Sequence, residues 1–284
     1  MLTVLDSINK SAEYLAKKGI ESARTNAELL LAHLLQCKRL DLYLKFDRPL
    51  NEVEIIAYRE FIRRRGLYEP VQYIIGSVEF YGLKINVSPS VLIPRPETEL
   101  LVETIISNTD KNSKINILDV GSGSGNITIA LAVNLPGAFV TGIDISEEAI
   151  KVAAENANCN NISGQVNFIK KDILNDGFPG STKFDMVVSN PPYVSNEDYK
   201  NVQPEIKNFE PGIAVTDFGD GLSYFRKIAE ISDEILNKKG KLFFEIGIHQ
   251  SENVKTILQN SNFKNISVIK DYQDIDRIIY GEKS

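Results

Sequence analysis

Hydrophobic and polar positions fall into two regimes along this chain. In the first, apolar residues recur at helical spacing. Val4, Leu5, Ile8, Ala12 and Leu15 mark an amphipathic run that ends near Gly19. Ala27 to Leu35 gives a second run, Leu40 to Phe46 a shorter third, and Asn51 to Arg65, closed by Gly66, a fourth. No strand signal interrupts them, so residues 1–68 are expected to form a small helical domain. The period then changes. Gln72-Tyr73-Ile74-Ile75-Gly76, Val78-Glu79-Phe80-Tyr81 and Leu83-Lys84-Ile85-Asn86-Val87 read as β, with Gly82 at a turn, which makes residues 69–90 a β-hairpin linker.

The second regime covers residues 91–284. It opens on Pro94-Arg95-Pro96, a stiff loop, and a helix from Glu97 or Thr98 to Asn108. After Ile115, strand-length apolar runs at 115–120, 139–144, 166–170, 184–189 and 241–247 alternate with helical runs at 126–134, 146–158, 222–236 and 250–259. That alternation implies parallel strands joined by right-handed crossovers. Two further strand-length runs, 266–270 and 277–280, are separated only by residues 271–276, so an antiparallel edge pair is expected there. The fold class is therefore α/β, Rossmann-like and mostly parallel.

Composition narrows the function by exclusion. A net charge of −6 argues against a general nucleic-acid binder, whose affinity comes mostly from neutralising phosphates. Two Cys (Cys37, Cys159) and two His (His33, His249), of which only His33 and Cys37 are near in sequence, offer neither a disulfide framework nor a metal-ligand set. No run approaches the ~20 apolar residues of a membrane helix. The N-terminus resembles neither a secretory signal nor a transit peptide, so a cytoplasmic protein without membrane contact is expected.

Two turns carry the chemistry. Gly121-Ser122-Gly123-Ser124-Gly125 follows the first strand of the α/β region, where glycines let backbone pass close to a ligand and helix-terminal N–H groups face it. Asp144, ending the next strand, is placed to accept from ribose hydroxyls, or else to cap the following helix. Asp172 ends the third strand within reach of an adenine amino group, and Ile173 beside it can pack on the ring. These features fit NAD, a nucleotide or S-adenosylmethionine alike. Asn190-Pro191-Pro192-Tyr193, after the fourth strand, separates them. Asn190 Oδ1 and the Pro191 carbonyl can accept the two hydrogens of a planar NH2 group, with Tyr193 against its plane. That suits methyl transfer to nitrogen better than hydride transfer, for which no acid–base pair is placed. The basic run Arg63-Arg64-Arg65 reads as a complement to its helix's dipole or as a docking surface.

Taken with Pro70-Val-Gln-Tyr-Ile-Ile-Gly76, Pro94-Arg-Pro-Glu-Thr-Glu99, Glu210-Pro211, Asp220-Gly221-Leu222, Glu245-Ile246-Gly247 with Gln250, and Asp276-Arg277, these motifs resemble the PrmC/HemK family over the whole length. The resemblance implies a class I S-adenosyl-L-methionine-dependent methyltransferase fold and a protein-(glutamine-N5) methyltransferase activity. The implied substrate is the glutamine of the Gly-Gly-Gln motif in class 1 peptide chain release factors. It implies Asn190, Pro191, Pro192 and Tyr193 as catalytic residues. The implied cofactor-binding set is Gly121, Ser122, Gly123, Ser124, Gly125, Asp144, Asp172, Ile173 and Asn190. A monomer whose N-terminal domain recognises the protein substrate is expected, with no direct nucleic-acid contact. Ser122 and Ser124 stand where the family often has threonine, and Ile173 where some members place an aromatic. Three alternatives stay open: a glutamine methyltransferase for a ribosomal protein, an amino methyltransferase for DNA or RNA, and a non-enzymatic cofactor-binding scaffold. A pI near 5.2 disfavours the nucleic-acid enzyme.

Overall fold

A computed structural model describes residues 2–178 and 183–284. The chain divides into two compact units, one through Ser77 and one from Val78 to Ser284.

The first unit holds helices α1 (Val4–Lys17), α2 (Ala23–Leu34), α3 (Asp41–Leu44), α4 (Glu52–Arg65) and α5 (Val71–Ile75). Reciprocal capping boxes, Thr3 with Asp6 and Asn51 with Glu54, start α1 and α4. The apolar stripes close on one core around Leu15, Leu30, Leu31, Leu42 and Leu50. One expectation needs correction. Residues Gln72–Gly76 are not β: Val71–Ile75 forms a helical turn that buries Tyr73 and Ile74, and Gly76 ends it at φ +82°. The β-branched composition was outweighed by Pro70 at the N-cap and glycine just past the end. The basic run falls in the last turn of α4, where it complements the helix dipole. Arg65 is buried and donates to Asn26 Oδ1 at 2.8 Å, while Arg63 and Arg64 are paired with Glu60 and Glu69.

A hairpin spans the division, with β1 (Ser77–Phe80) and β2 (Leu83–Asn86) joined through Tyr81 and Gly82, both at positive φ, as a tight hairpin turn requires. There follow α6 (Glu99–Ser107), β3 (Ile115–Val120), α7 (Asn126–Asn134), β4 (Ala138–Asp144), α8 (Glu147–Cys159), β5 (Val166–Lys170) and β6 (Phe184–Ser189). The chain continues with α9 (Pro204–Phe209), α10 (Ser223–Ile235), β7 (Leu236–Glu245), α11 (Ser251–Asn260), β8 (Phe263–Lys270) and β9 (Asp276–Lys283). Among the described residues β3–β9 form a seven-stranded sheet in the order β5-β4-β3-β6-β7-β9-β8. Pairing is parallel from β5 to β7 and antiparallel at β7–β9 and β8–β9, the edge expected from the short 271–276 turn. Successive strands step outward from β3 to β5 and then restart on its other side at β6. The gap above β3 and β6 is therefore the switch point, where open α/β sheets hold ligands. Among the described residues no helix is long and apolar enough to cross a membrane.

Candidate active site

Both motif turns arrive at that switch point. Val120 pairs with Ser189 in the β3–β6 register, so Gly121 and Asn190, one residue further on, leave the sheet side by side. Ser189 Oγ donates to the Val120 carbonyl at 2.7 Å in the buried interior and fixes the two strand ends together. Above them lies a cavity of about 310 Å3, within the usual size of a small-molecule site.

Gly121 and Gly123 form part of its wall, at φ +77° and +53°, and no heavy atom lies within 4 Å of where a Cβ would stand on either. They leave open space for a ligand to lie on backbone. Gly125 serves differently: a Cβ there would come within 3.0 Å of Ala153 and 3.1 Å of Phe168, so it permits close helix packing. Ser122 and Ser124 are buried and do not line the cavity. The turn also spends its donors internally. Gly121 and Ser122 N–H both donate to the Ile143 carbonyl at 2.9 Å, Gly123 N–H to Asp144 Oδ2 at 2.9 Å, and Gly125 N–H to the Ser122 carbonyl at 2.7 Å. These four amides are therefore not free to cradle a phosphate.

Asp144 lines the cavity. Its Oδ1 accepts from Ser146 N–H at 2.9 Å, which holds the carboxylate rigid with lone pairs to spare. The helix cap is Ser146, whose Oγ accepts from Ala149 N–H at 3.1 Å, so Asp144 is not needed for it. Burial raises the Asp144 pKa against the pull of the Ser146 and Gly123 amides. Asp172 and Ile173 also line the cavity. The Asp172 carboxylate caps its own turn through Leu174 N–H and Asn175 Nδ2, while Ile173 offers an apolar wall.

Asn190, Pro191 and Pro192 face the cavity. Asn190 Nδ2 donates to Thr98 Oγ1 at 3.1 Å. Among the described residues neither Asn190 Oδ1 nor the Pro191 carbonyl receives a hydrogen bond, so two acceptors remain for an incoming NH2 group. Tyr193 is brought to the turn but not to the cavity lining. It packs behind, with Cδ2 only 3.0 Å from the Cβ position of Gly247. Gln250 fastens it there: Nε2 donates to the Tyr193 carbonyl at 2.9 Å while Oε1 accepts from Gly247 N–H at 2.9 Å. Burial and the nearby Glu245 charge push the Tyr193 hydroxyl up, so it stays neutral.

Several lining residues carried no sequence signal of their own. Ser90, Val91 and Leu92 close one side, Pro211 and Ile213 another, and Tyr224 and Ile228 reach in from α10. Lys171 also lines the cavity, its Nζ 4.9 Å from the Phe178 ring centre. Asn156, fully buried, donates from Nδ2 to the carbonyls of Asn86 and Ser124, at 2.9 Å each, and so ties the hairpin to the glycine turn.

Comparison with known proteins gives the family. The PrmC N-terminal domain matches residues 6–76 and a methyltransferase domain matches residues 111–268. The release factor glutamine methyltransferase of Fusobacterium nucleatum subsp. nucleatum is 43% identical over 99% of this chain and 79% of its own. That of Chlorobaculum tepidum is 39% identical over 97% and 95%. A methyltransferase structure from Pyrococcus furiosus superposes with a TM-score of 0.51 at 20% identity, covering 72% of this chain and 90% of the other, which speaks to the fold. The fold is the α/β class I methyltransferase fold, and the chain belongs to the release factor glutamine methyltransferase family.

Proposed function

We propose that this chain transfers a methyl group from S-adenosyl-L-methionine to the side-chain N5 of the glutamine in the Gly-Gly-Gln motif of class 1 peptide chain release factors. The observation that carries the reading is Asn190. It stands at the switch point, beside the glycine turn, with its NH2 held by Thr98 and its carbonyl oxygen unpaired toward the cavity.

The residues present fit this cofactor. Gly121 and Gly123 leave open space, Asp144 offers fixed acceptors for hydroxyls, and Ile173 and Ile145 offer apolar walls for a base. A turn whose amides are already donated suits a cofactor without phosphates better than a dinucleotide, which draws on free N–H groups. When bound, S-adenosyl-L-methionine supplies a methyl group on a sulfonium, a strong electrophile. The protein's task is then to position a weak nucleophile, since an amide lone pair is delocalised into its carbonyl. Asn190 Oδ1 and the Pro191 carbonyl accept the two N–H hydrogens and fix the plane of the target amide. Such alignment can lower a barrier by roughly 7–11 kcal/mol in favourable cases. Residues 1–68 engage the protein substrate in this reading. In support, every cavity residue lies in the second unit, while the first exposes Leu40, Tyr43, Leu44 and Phe46.

Methylation with labelled cofactor, offering release factor, ribosomes and nucleic acid side by side, tests the reading. Label in the release factor's Gly-Gly-Gln glutamine is expected. Label confined to a ribosomal protein or to nucleic acid overturns the substrate, and no label at all overturns the reaction.

A further inference from the structure

Behind Asn190 stand two residues that do not line the cavity. Thr98 ends the short 3-10 turn Pro96–Thr98, and Glu245 ends β7; each is 2% exposed. Asn190 Nδ2 donates to Thr98 Oγ1, and the Thr98 hydroxyl and Asn190 amide both lie against the Glu245 carboxyl. Glu245 Oε2 is buried without a hydrogen bond. A carboxylate held this way costs folding free energy, and nothing in the packing alone calls for one.

The chemistry of the three groups gives it a use. A primary amide presents either its oxygen or its NH2 to the cavity, and the two states differ by a half-turn about one bond. A hydroxyl cannot choose between them, because it donates and accepts with equal ease. An ionised carboxylate only accepts. An ionised Glu245 would draw the Thr98 hydroxyl hydrogen toward itself and leave Oγ1 to accept from Asn190 Nδ2, the bond the structure has. Asn190 Oδ1 then faces the cavity. With Glu245 protonated, a competing donor enters the chain and the direction is no longer enforced.

We propose that Glu245 and Thr98 are positioning residues that set the rotational state of the Asn190 amide, so that its oxygen and not its NH2 meets the target nitrogen. The inference rests on the role given to Asn190 above.

Charged and titratable groups face Glu245 from each neighbouring element: Arg277 on β9, Glu97 in the 3-10 turn, and Tyr193 after β6. Burial pushes Glu245 up to about 7, the neighbouring Thr98 hydroxyl and the Arg277 charge oppose it, and Glu97 adds to the rise. Glu245 therefore changes charge near neutrality. Asp119, buried under the glycine turn, is likewise pushed to about 7 by burial, and burial raises Asp144 too, so variants must separate Glu245 from both.

The test compares wild type, Glu245→Gln, Thr98→Val, Thr98→Ser and Asn190→Ala between about pH 5.5 and 8.5. It measures kcat, KM for release factor, calorimetric cofactor affinity, and the 15N signals of the Asn190 side chain in ligand-free protein. Wild-type kcat is expected to fall as pH drops through about 7. Glu245→Gln, able to donate as well as accept, should lose about tenfold in kcat, the worth of one oriented hydrogen bond, together with that acid limb. KM and cofactor affinity should stay within about twofold, since ground-state binding is not at stake. Thr98→Val should match Glu245→Gln, and Thr98→Ser should keep most of the turnover. The Asn190 amide signals should titrate in wild type and not in Glu245→Gln. A folded Glu245→Gln with wild-type kcat and pH profile overturns the proposal if Asn190→Ala is inactive; an active Asn190→Ala removes the reading beneath it instead. Should Glu245→Gln fail to fold, equal kcat in Thr98→Val and Thr98→Ser overturns the proposal.

Discussion

Arg95 Nη2 donates to Glu210 Oε1 at 2.6 Å, joining two loops that lie 115 residues apart in sequence. Glu210 Oε2 also accepts from Ile93 N–H at 3.3 Å. The Glu210 side chain is 2% exposed and Arg95 is 32% exposed. Residues on both loops, Val91 and Leu92 on one and Pro211 and Ile213 on the other, wall the cavity. A single ion pair thus holds two walls at a fixed separation.

Removing the exposed partner leaves the buried one uncompensated. Arg95→Ala should lower stability by roughly 2–3 kcal/mol, less than the full cost of a stranded charge because Ile93 N–H remains. Cofactor affinity should fall with it, because the walls lose their tie. Glu210→Gln, which keeps the shape and one acceptor, should be milder on both counts. Thermal unfolding and calorimetry check this, and an Arg95→Ala protein with unchanged melting temperature and affinity contradicts it.

Asp144 is held by two amides before any ligand arrives, so its acceptors are preorganised. Asp144→Ala should weaken S-adenosyl-L-methionine by about 1.5–3 kcal/mol, the range for hydrogen bonds to a charged group. The released Gly123 N–H should also loosen the glycine turn, visible as faster amide exchange there. Unchanged affinity in calorimetry removes Asp144 from the site.

Much of this site was legible because its parts sit at strand ends, and strand ends follow from apolar run length. Val120 and Ser189 close apolar runs, so the position of the turns after them follows from the runs themselves. What escaped has a common cause: partners far apart in sequence. Thr98, Glu210, Gln250 and Asn156 act through bonds to residues 29 to 117 positions away. No periodicity encodes such pairs. The misread segment Gln72–Gly76 failed differently, since its β-prone side chains follow Pro70 and precede Gly76, and those two residues decided the backbone. Arg65 was taken with its neighbours as one basic run, whereas burial against Asn26 separates it from them.

Buried carboxyls with raised pKa, Asp119 and Glu245 foremost and Asp144 with them, make stability depend on pH in an unusual direction. Asp119 rises from 3.8 and Glu245 from 4.5, both to about 7 and both first through burial. A carboxyl with a raised folded pKa binds its proton more tightly when folded. Its contribution is therefore complete below the unfolded value and is lost as pH rises through the folded one. Asp217, Asp220 and Asp271, held low, work the other way, but only as pH falls below their ordinary range. The ligand-free protein should accordingly melt at a higher temperature near pH 5 than near pH 8. Glu245→Gln should flatten that dependence and melt higher than wild type at pH 8, by a difference on the order of 1–3 kcal/mol. A wild-type melting temperature that rises from pH 5 to 8 contradicts the assignment of these two groups.

The role proposed for residues 1–68 separates binding from chemistry. A protein beginning at Pro70 keeps every cavity residue and should still bind S-adenosyl-L-methionine. Its KM for intact release factor should rise by at least about tenfold, since an interaction lost equally from ground and transition state appears in KM. Unfolding curves must first show that the remaining unit is folded. Full activity on the intact factor by a folded truncation sinks the assignment.

Asn190 is where the proposed chemistry is most exposed to test. Asn190→Ala removes the acceptor that aligns a weak nucleophile, so the loss belongs to kcat, with cofactor affinity little changed. At least about 10²-fold is expected, the order seen when one preorganised polar partner is taken from an active site. Asn190→Asp is the sharper substitution. By itself an aspartate keeps an acceptor toward the cavity. Here it also brings a second carboxyl against Thr98, whose single hydroxyl hydrogen serves Glu245 in the arrangement proposed above. Two carboxylates cannot both ionise at that distance without cost, so one pKa rises further. Above about pH 7 the aspartate variant should be nearly as slow as the alanine one. On acidification one proton restores a donor toward Thr98, and part of the activity should return, inverting the wild-type pH profile. An Asn190→Asp enzyme with the wild-type profile means that Asn190 and Glu245 are not coupled through Thr98, and near-normal kcat in well-folded Asn190→Ala means that the target amide is held elsewhere.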